Sequence, residues 1–584
     1  MNRPVRIANC SGFYGDRFSA AREMLAGPID VLTGDYLAEL TMLILWKARR
    51  KDESLGYATT FLRQMEDVLG TCLERGIKVV ANAGGLNPEG LAAKITTLAP
   101  SARVAYLTGD DLAPAIKDLQ AEGHEFTNLD TGVPLAQAEL PVVTANAYLG
   151  GWGIAAALQA GADIVICGRV TDASLVTGPA AWWHGWARDD WDALAGAVAA
   201  GHVIECGPQA TGGNYSFLDE ITDRRYPGFP IAEVAADGSS VITKHDGTGG
   251  LVSPGTVTAQ LLYEIGEPAY LNPDVTAHFD TIQLGGQGPD RVTLTGTRGS
   301  PPPADLKVAL NMLGGYRNTM TMVITGLDVE AKAEHAEQLL FERLPQLEQV
   351  DVRLLRFDRP DAPANELATA HLRVTVKDQD ERKVGRAFSD AITELALAGY
   401  AGFHTTTPPA GASAYGIYWP ALVPRSVITE YLHLPDGSTM AVPSPEIDPR
   451  SPAGLQAGTI PGPQPVADDP DPAGPPVQVP LGRLCGARSG DKGGNANVGL
   501  WAVSPAAYAW LRRHLTVARF RELLTEAAGL PVDRYELPNL LALNFVVHGL
   551  LAPGVSATTR PDPQAKGLGE YLRSRIVTVP ADLF

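Results

Sequence analysis

The stretch Ala160-Gly-Ala-Asp-Ile-Val-Ile-Cys-Gly-Arg-Val-Thr-Asp-Ala-Ser174 decides the fold expected for the first part of this chain. Its apolar run, Asp163 to Cys167, has β-branched residues at its centre and glycines near both ends, which is typical of a strand buried on both faces of a parallel sheet. Polar residues follow directly, among them Arg169 and Asp172. Because ligands of open α/β sheets bind beyond the carboxyl ends of the strands, this turn is the first candidate for the wall of a functional site. The structural alternative is that Arg169 and Asp172 pair only to hold a tight corner.

The same arrangement recurs along the first two hundred residues. Six strand–helix units are predicted, and their strands are Val5 to Asn9, Ile29 to Leu32, Ile77 to Val80, Arg103 to Leu107, Pro141 to Thr144 and Asp163 to Cys167. Each strand is followed by glycine together with aspartate, asparagine or threonine, residues that allow a ligand to approach closely and leave N–H groups available for anions. The competing explanation is that such residues dominate ordinary turns. We predict a parallel sheet whose strand ends form one shared crevice.

The candidate site residues follow from that crevice. The predicted catalytic residues are Asp35, Asn82, Asn146, Arg169 and Asp172. The predicted ligand-binding residues of this region are Gly12, Asp16, Gly84, Gly85, Gly150, Gly151 and Thr171. In this hypothesis Asp172 or Asp35 is a general acid or base, Arg169 holds a carboxylate, and an asparagine stabilises an oxyanion together with glycine N–H groups.

The remainder of the chain divides by composition. Beyond Trp182 the strand–helix pattern loosens, and the spacing of the elements that follow indicates an α+β extension. The segment from Met440 to Pro480 holds 12 of the 45 prolines, a composition typical of an extended spacer. We therefore predict an α/β region at 1–440, formed either as one unit or as two layers (1–200 and 201–440). A proline-rich linker at 441–478 and a small module at 479–584 follow it.

Composition and charge exclude several classes of protein. With 584 residues, 45% of them hydrophobic, the chain is long enough for at least two domains. Its formal charge of −19 argues against nucleic-acid and anionic-membrane partners, which require a basic surface. The absence of a long apolar run or signal-peptide core leads us to expect a soluble, cytoplasmic protein. The five cysteines are widely spaced, so neither disulfides nor a metal site is predicted, and a homo-oligomer is expected.

Two short motifs point weakly to other chemistry. Gly151-Trp-Gly-Ile-Ala-Ala156 fits the dinucleotide fingerprint G-x-G-x-x-A, but Trp152 would crowd a pyrophosphate. Ser489-Gly-Asp-Lys492 fits S-x-x-K, in which an amine activates a serine, but its glycines disfavour the helix that this chemistry needs. Residues 487–497 are predicted instead to form a loop that binds an anionic group through its backbone; the alternative is a flexible loop anchored by a salt bridge. The ligand-binding residues predicted there are Arg488, Ser489 and Lys492.

Several segments resemble the acyclic terpene utilisation (AtuA) family. Those in the N-terminal region are Arg6-Ile-Ala-Asn-Cys-Ser-Gly-Phe-Tyr-Gly-Asp-Arg17, Gly34-Asp-Tyr-Leu-Ala-Glu39, Asn82-Ala-Gly-Gly-Leu-Asn-Pro88 and Ile166-Cys-Gly-Arg-Val-Thr-Asp-Ala-Ser174. The segment Ala487-Arg-Ser-Gly-Asp-Lys-Gly-Gly-Asn495 is similar to the ferredoxin-fold domain appended to many members. The resemblance covers nearly the whole chain and implies a large α/β region followed by a small ferredoxin-like α+β domain.

The resemblance also implies a metabolic context. Similar members occur with genes for the breakdown of citronellol- and geraniol-like compounds as coenzyme A esters. We therefore expect an enzyme of acyclic isoprenoid or branched-chain acid catabolism that acts on a carboxylate or an acyl-CoA, by hydration, carbon–carbon lysis or thioester hydrolysis. No cofactor is predicted, and coenzyme A is expected only as part of the substrate. The alternative is a non-catalytic acyl-binding or scaffold subunit of the same pathway.

Overall fold

The computed structural model describes residues 3–445 and 474–583, which form five sheets with helices packed around them. The strands are β1 (Val5–Asn9), β2 (Val31–Gly34), β3 (Lys78–Ala81), β4 (Val104–Thr108), β5 (Val142–Ala147), β6 (Ile164–Ile166), β7 (Pro230–Val234), β8 (Ser240–Lys244), β9 (Ala269–Leu271), β10 (Thr276–His278), β11 (Gln283–Gly286), β12 (Arg291–Thr295), β13 (Arg298–Ser300), β14 (Asp305–Thr325), β15 (Gln349–Arg356), β16 (Thr369–Asp378), β17 (His404–Thr405), β18 (Ser413–Pro424), β19 (Glu430–His433), β20 (Thr439–Val442), β21 (Pro476–Pro480), β22 (Cys485–Lys492), β23 (Asn495–Ala502), β24 (Val532–Leu537), β25 (Ala542–Val547) and β26 (Ile576–Pro580). The helices are α1 (Ala20–Met24), α2 (Glu39–Lys51), α3 (Thr59–Glu74), α4 (Pro88–Leu98), α5 (Ile116–Ala121), α6 (Trp152–Gln159), α7 (Ser174–His184), α8 (Trp191–Ile204), α9 (Pro254–Leu261), α10 (Val329–Arg343), α11 (Glu381–Val384), α12 (Arg386–Ala398), α13 (Pro505–His514), α14 (Val517–Leu523) and α15 (Leu568–Ser574). Most of the predicted proline-rich linker lies outside the described residues. Among the described helices, none has the length and apolar character to cross a bilayer.

An eleven-stranded sheet forms the centre of the N-terminal region. Its order is β11-β12-β8-β7-β1-β2-β3-β6-β4-β19-β20. The five middle strands, β1, β2, β3, β6 and β4, run parallel to one another, whereas the strands on both sides pair antiparallel. The predicted parallel sheet is therefore confirmed for five of the six predicted strands, within a sheet that is mixed overall.

The apolar run of β6 is continuous because both faces of the sheet are covered. Ile164, Val165 and Ile166 are fully buried. Ile164 and Ile166 pack in a core with residues of α1, α3 and α4, while Val165 faces a second core with residues of α6, α7, α8 and α9. This is the environment that a near-continuous apolar strand indicates in a parallel sheet.

The prediction that the fifth strand belongs to the parallel sheet is wrong. β5 pairs antiparallel with β14, in a register that runs from Ala147 opposite Val308 to Val142 opposite Met312. β14 is 21 residues long and also pairs with β16, β17 and β18, so it forms the middle of a separate sheet. The sequence did not reveal β14 as one strand because its register shifts between Leu313 and Gly315, which interrupts the alternation expected of a strand.

The predicted loop at 487–497 is also wrong, because β22 and β23 form a hairpin there. Lys492 is paired with Asn495, and only Gly493 and Gly494 form the turn. Gly493 has φ of +63°, a conformation that two-residue hairpin turns require and glycine adopts easily. The glycines therefore mark a tight turn in a four-stranded antiparallel sheet, β22-β23-β25-β24.

Buried asparagines connect the C-terminal module to the N-terminal region. Asn497 and Asn544 are both 0% exposed. Asn497 donates to the carbonyl oxygen of Leu262 (3.1 Å) and accepts from the N–H of Glu264 (2.9 Å). Asn544 donates to the carbonyl oxygen of Gly266 (2.7 Å). Because a buried amide without partners is costly, these bonds fix how the module sits on the N-terminal region.

The start of β6 provides a test of the sheet. Asp163 accepts hydrogen bonds from Lys78 Nζ (2.8 Å) and from the backbone N–H of Arg103 (3.1 Å). Burial opposes its ionised form, but hydrogen bonds from Arg103 and Lys78 outweigh burial and lower the pKa of Asp163 to about 2. Asp163→Asn is expected to lower the free energy of unfolding at neutral pH by about 1–2 kcal/mol.

The lowered pKa of Asp163 determines how the difference in unfolding free energy between the wild type and Asp163→Asn depends on pH. An aspartate with a lowered pKa in the folded state stabilises the fold above its ordinary pKa of 3.8, and this stabilisation is lost as the pH falls towards about 2. Urea unfolding of the wild type and of Asp163→Asn, from neutral pH down to about pH 2, measures this loss of stabilisation. Equal free energies of unfolding at neutral pH would contradict the stabilising role of Asp163.

Candidate active site between the sheet edge and the C-terminal module

Arg169 lies just beyond the carboxyl end of β6 and is 3% exposed. Its Nη1 donates to the carbonyl oxygen of Leu37 (3.1 Å) and to Oδ1 of Asp172 (3.0 Å), and its guanidinium lies 4.3 Å from the centroid of the Tyr148 ring. The pairing considered as the structural alternative is therefore present. The Asp172 side chain nevertheless remains 29% exposed, so its carboxyl group is accessible to a ligand.

Asp35 and Asn82 come together from the ends of β2 and β3. Asn82 is fully buried, and its Nδ2 donates to Oδ1 of Asp35 (2.6 Å). The N–H of Tyr36 donates to Oδ1 of Asn82 (2.8 Å). The Asp35 oxygen also accepts from the N–H of Leu37 (3.1 Å). Asn82 therefore positions the Asp35 carboxyl group.

The surroundings of Asp35 and Asp172 favour the protonated state. Burial and the negative charge of Asp172 raise the pKa of Asp35 well above its ordinary value, against the effect of Arg169. Burial also raises the pKa of Asp172, although Arg169 opposes it. When carboxyl groups share a site that one cation cannot neutralise, one of them keeps a proton. The pair can hold a proton for transfer, which acid–base chemistry requires.

A second group of charged side chains adjoins Arg169. The Tyr148 hydroxyl donates to Oε1 of Glu39 (3.2 Å), and Lys307 Nζ lies 3.9 Å from the same oxygen. Burial opposes the ionisation of Glu39, but Lys307 and Arg169 outweigh burial and lower its pKa. Burial likewise opposes the charge of Lys307, but Tyr148 and Glu39 raise its pKa. Lys307 thus provides a second positive charge near Arg169.

A cleft lies between the start of α2 and the C-terminal module, and, among the charged residues above, Glu39 lines it. Its lining includes Glu39, Leu40 and Leu43 of α2, Tyr418 of β18 and Asp491 of β22. Apolar side chains therefore lie beside charged ones. This combination suits a ligand that has an apolar chain and a polar or charged end.

The C-terminal module contributes titratable groups to this cleft. Lys566 Nζ lies 3.8 Å from Asp491 Oδ1 and 4.0 Å from Glu264 Oε1. Burial and the charge of Asp491 raise the pKa of Glu264 to about 7, and burial raises that of Asp491 to about 6. Burial and the charge of Lys307 lower the pKa of Lys492 to about 8. Groups that titrate near neutral pH thus come from both parts of the chain.

Glu205 is a further carboxyl group near Asp172. Its Oε1 lies 3.2 Å from Nδ1 of His202, and both side chains are buried. Burial and the charge of Asp172 raise the pKa of Glu205 well above its ordinary value, while burial lowers that of His202 to about 4. Burial therefore disfavours the charged form of both groups. In the ranges that the structure describes, no three histidine, cysteine, aspartate or glutamate residues are grouped to hold a metal ion.

Sequence reasoning missed several members of this site. They are Glu39, Tyr148, Glu205, Glu264 and Lys307. Glu39 and Tyr148 lie in or beside segments that the strand-end pattern already marks, so that pattern contains a usable signal for both. Lys307 and Glu264 come from β14 and from the turn after α9, and only the three-dimensional packing brings them to the strand ends.

The second predicted oxyanion-stabilising asparagine, Asn146, has another partner. Its Nδ2 donates to Oδ2 of Asp110 (2.8 Å), and the same oxygen accepts from the N–H of Arg169 (2.9 Å). Asn146 therefore acts with Asp110 to anchor the turn that carries Arg169. Since Asn82 is bound to Asp35 in the same way, both amides position carboxylates, and the structure gives an oxyanion role for them no support.

The predicted residues near the amino terminus form turns of the chain itself. The N–H of Gly12 donates to Oδ2 of Asp16 (2.8 Å). The N–H of Gly84 donates to the carbonyl oxygen of Cys167 (3.0 Å), and Gly85 has φ of +51°. Protein acceptors thus occupy the N–H groups of Gly12 and Gly84, and these residues shape the sheet edge.

The predicted residues that follow β5 and β6 also contact protein groups. The N–H of Gly151 donates to Oδ2 of Asp274 (2.7 Å), and Asn272 Nδ2 donates to Oγ1 of Thr171 (3.1 Å). A Cβ at Gly150 would lie 2.0 Å from Oδ1 of Asp274. The two glycines therefore allow the loop that carries Asp274 to pack closely.

The three predicted residues of the C-terminal module have different environments. Ser489 Oγ donates to the carbonyl oxygen of Ala565 (2.7 Å) and accepts from the N–H of Gly569 (2.9 Å), so it is a structural link. Lys492 Nζ donates to the carbonyl oxygen of Glu264 (3.1 Å). Arg488 is buried beneath the same region of the module.

Comparisons with known proteins follow the same division of the chain. A family model described as acyclic terpene utilisation family protein AtuA matches residues 5–434. The chain belongs to this family. A second model, the AtuA ferredoxin-like domain, matches residues 479–578 and confirms the expected C-terminal domain. Membership of the AtuA family indicates a role in acyclic terpene utilisation. No curated protein and no solved structure matches the chain.

A second pocket of this AtuA family protein lies at the G-x-G-x-x-A motif and is lined in part by Trp152, Asp274 and Glu430. Asp274 already accepts from Gly151, and a Cβ at Gly153 would lie 2.1 Å from Oε1 of Glu430. Carboxyl groups therefore already contact the glycines of this motif, and one of them accepts the N–H of Gly151. The glycines serve close packing, and the dinucleotide hypothesis gains no support.

The buried carboxyl group of Glu430 provides a second test of stability. Burial and the charge of Asp274 raise its pKa from 4.5 to about 8. The folded protein therefore holds a proton that the unfolded chain releases, and stability falls as the pH rises from about 4.5 to about 8. We expect Glu430→Gln to raise the free energy of unfolding by about 1–3 kcal/mol at the upper end of this range.

Thermal and urea unfolding at several pH values check this expectation. At acidic pH, where the wild-type carboxyl group is neutral in both states, the two proteins should be almost equally stable. A variant that is less stable than the wild type at alkaline pH would show that the Glu430 carboxylate is needed by the fold.

Proposed function

We propose that this AtuA family protein is an enzyme of acyclic terpene utilisation that performs acid–base chemistry on a branched carboxylate or acyl-CoA. The observation that carries the proposal is the position of two carboxyl groups near Arg169: Asp172 accepts from Arg169 Nη1 (3.0 Å), and Asp35 is near enough for the charges of Asp172 and Arg169 to act on it. The Arg169 guanidinium is buried, and burial raises the pKa of both carboxyl groups. Strongly perturbed carboxyl groups beside a cleft are typical of catalytic acids and bases.

The proposed roles follow from exposure and charge. Asp172, the more exposed carboxyl group, exchanges a proton with the substrate. Asp35 is 6% exposed and bound to Asn82, so it does not exchange a proton with the substrate but adjusts the basicity of Asp172. Arg169 and Lys307 stabilise negative charge that develops on the acyl oxygen.

The cleft accounts for the proposed substrate class. Leu40 and Leu43 form an apolar surface beside Glu39 and Asp491, which suits a hydrocarbon chain with a polar end. A branched isoprenoid acyl group has this character. The family role in acyclic terpene utilisation agrees with such a substrate.

Hydration and carbon–carbon lysis fit the residues better than thioester hydrolysis through a covalent intermediate. Such an intermediate needs a nucleophile activated by a neighbouring base. Ser489 bonds inside the C-terminal module, and burial raises the pKa of the Cys206 thiol well above its ordinary value. Proton transfer by Asp172, in contrast, serves the addition of water and the cleavage of a carbon–carbon bond equally well.

The experiment offers purified protein a panel of branched and unsaturated acyl-CoA esters and the matching free acids, with products identified by mass spectrometry. Asp172→Asn should lower kcat/KM by about 10²-fold or more, because the amide cannot transfer the proton. Asp219→Asn is the matched control, since this carboxyl group is exposed and only pairs with Arg224 (3.0 Å). Circular dichroism and the unfolding temperature must show that both variants remain folded.

Two outcomes would contradict the proposal. If Asp172→Asn retains full activity, Asp172 is not the catalytic acid or base. If the panel binds but no member is converted, the protein is the acyl-binding subunit considered as the alternative. A specific observation favours that alternative, because Arg169 and Asp35 both have protein partners without a ligand.

A further inference from the structure

Arg488 is a buried cation, and two of its three side-chain nitrogens have no hydrogen-bond acceptor among the described residues. Its side chain is 7% exposed, and its Nε and Nη2 are buried with no partner among the described residues. The nearest aromatic group is the ring of Tyr263, whose centroid lies 4.5 Å from the guanidinium carbon. Arg169, which is equally buried, differs because its guanidinium bonds to Asp172 and to a backbone carbonyl.

Such a guanidinium is unfavourable in the fold by itself. Burial removes its hydration, and no carboxylate of the described chain replaces it at hydrogen-bonding distance. The contact with Tyr263 offsets part of this loss but supplies no acceptor for the N–H groups. Buried donors left unpaired in a native protein call for an explanation, and a bound ligand group is one of the few available.

The neighbours of Arg488 suit a negatively charged group. Lys566 Nζ lies 4.4 Å from the centroid of the same Tyr263 ring, so two cations share one aromatic side chain. Gly490 follows Arg488 by two residues in β22. A Cβ at this position would lie 2.3 Å from Tyr263 Cε2 and would clash with the ring. This glycine allows the ring to lie against the strand and to hold both cations in place. Cys206 is near enough to Arg488 and Lys566 for both charges to act on its thiol.

We propose that Arg488 and Lys566 form an oxyanion-binding subsite for a carboxylate or phosphate group of a ligand. Arg488 donates hydrogen bonds from its planar fork, which matches the geometry of both groups. Lys566 Nζ lies 3.8 Å from Asp491 Oδ1 and 4.0 Å from Glu264 Oε1. It adds a second positive charge to the subsite. The subsite does not include Asp35 or Asp172, so its test is independent of the test of the proposed reaction.

The test measures anion-dependent stabilisation of the full chain. Sodium phosphate and sodium succinate are titrated at constant ionic strength, with chloride as the reference salt, and the unfolding temperature is recorded. Binding to the native state raises this temperature in a saturable way. Stabilisation by phosphate alone identifies a phosphate source, stabilisation by succinate alone identifies a carboxylate source, and stabilisation by neither overturns the proposal.

Arg488→Met locates the effect. We expect at least a tenfold loss of apparent anion affinity in this variant, together with an unfolding temperature, without anion, that equals or exceeds that of the wild type. Both follow because the change removes a buried unpaired charge and keeps most of the apolar stem. Arg382→Met is the matched control, since Arg382 is 90% exposed and pairs on the surface with Asp380 (2.7 Å).

A structural role for Arg488 predicts the opposite pattern. In that case Arg488→Met unfolds at a lower temperature without anion, and the anion response of the wild type is either absent or unchanged by the variant. Should Arg488→Met not fold, Lys566→Met provides the second variant, because weakened anion binding is expected there and unchanged binding overturns the proposal. Arg488→Lys then distinguishes charge from fork geometry, with an intermediate affinity expected.

Discussion

The charge balance around Arg169 is the constraint on which the site depends. A single buried guanidinium faces Asp172 directly, and Asp35 and Glu205 lie within its electrostatic influence. One cation cannot neutralise all these carboxyl groups, so burial keeps protons on some of them. Glu39 differs from these groups, because the nearby Lys307 and Arg169 lower its pKa. Carboxyl groups whose pKa values are shifted in opposite directions therefore lie near one another, and their position relative to the two cations sets this difference.

The architecture maintains this balance through two sheets and a docked module. Asp35, Asn82 and Arg169 lie just beyond the carboxyl ends of the neighbouring parallel strands β2, β3 and β6. β14 adds Lys307 from a separate sheet, and the C-terminal hairpin adds Asp491 and Lys492. Asn497 and Asn544 connect the module to residues just after α9, including Glu264. The electrostatics of the site thus depend on packing between parts of the chain that are distant in sequence.

The sequence predicts what local patterns determine. β6 is recognisable because a strand buried on both faces needs apolar residues throughout, and the polar residues after each parallel strand do meet at one edge for Asp35, Asn82 and Arg169. β5 has the same local pattern but joins the other sheet, because the long strand β14 offers it a partner that no local signal reveals. The glycines near Lys492 similarly fit either a loop or a hairpin turn until the pairing of β22 with β23 is known.

Non-local contacts also decide which predicted residues are available to a ligand. Asn146, Gly151 and Ser489 carry suitable chemistry, but other parts of the chain occupy their donors and acceptors. Arg488 shows the reverse, because the sequence predicts it as a ligand-binding residue and the structure leaves its buried Nε and Nη2 without an acceptor among the described residues. The two buried arginines therefore have complementary deficits: Arg169 has more carboxyl groups near it than it can neutralise, whereas the buried Nε and Nη2 of Arg488 have no acceptor among the described residues. Arg169 acts on Glu205 and Arg488 acts on the neighbouring Cys206. A ligand with an anionic group at one end would therefore supply the acceptor that Arg488 lacks. If its reacting end is uncharged, it adds no further negative charge near Arg169.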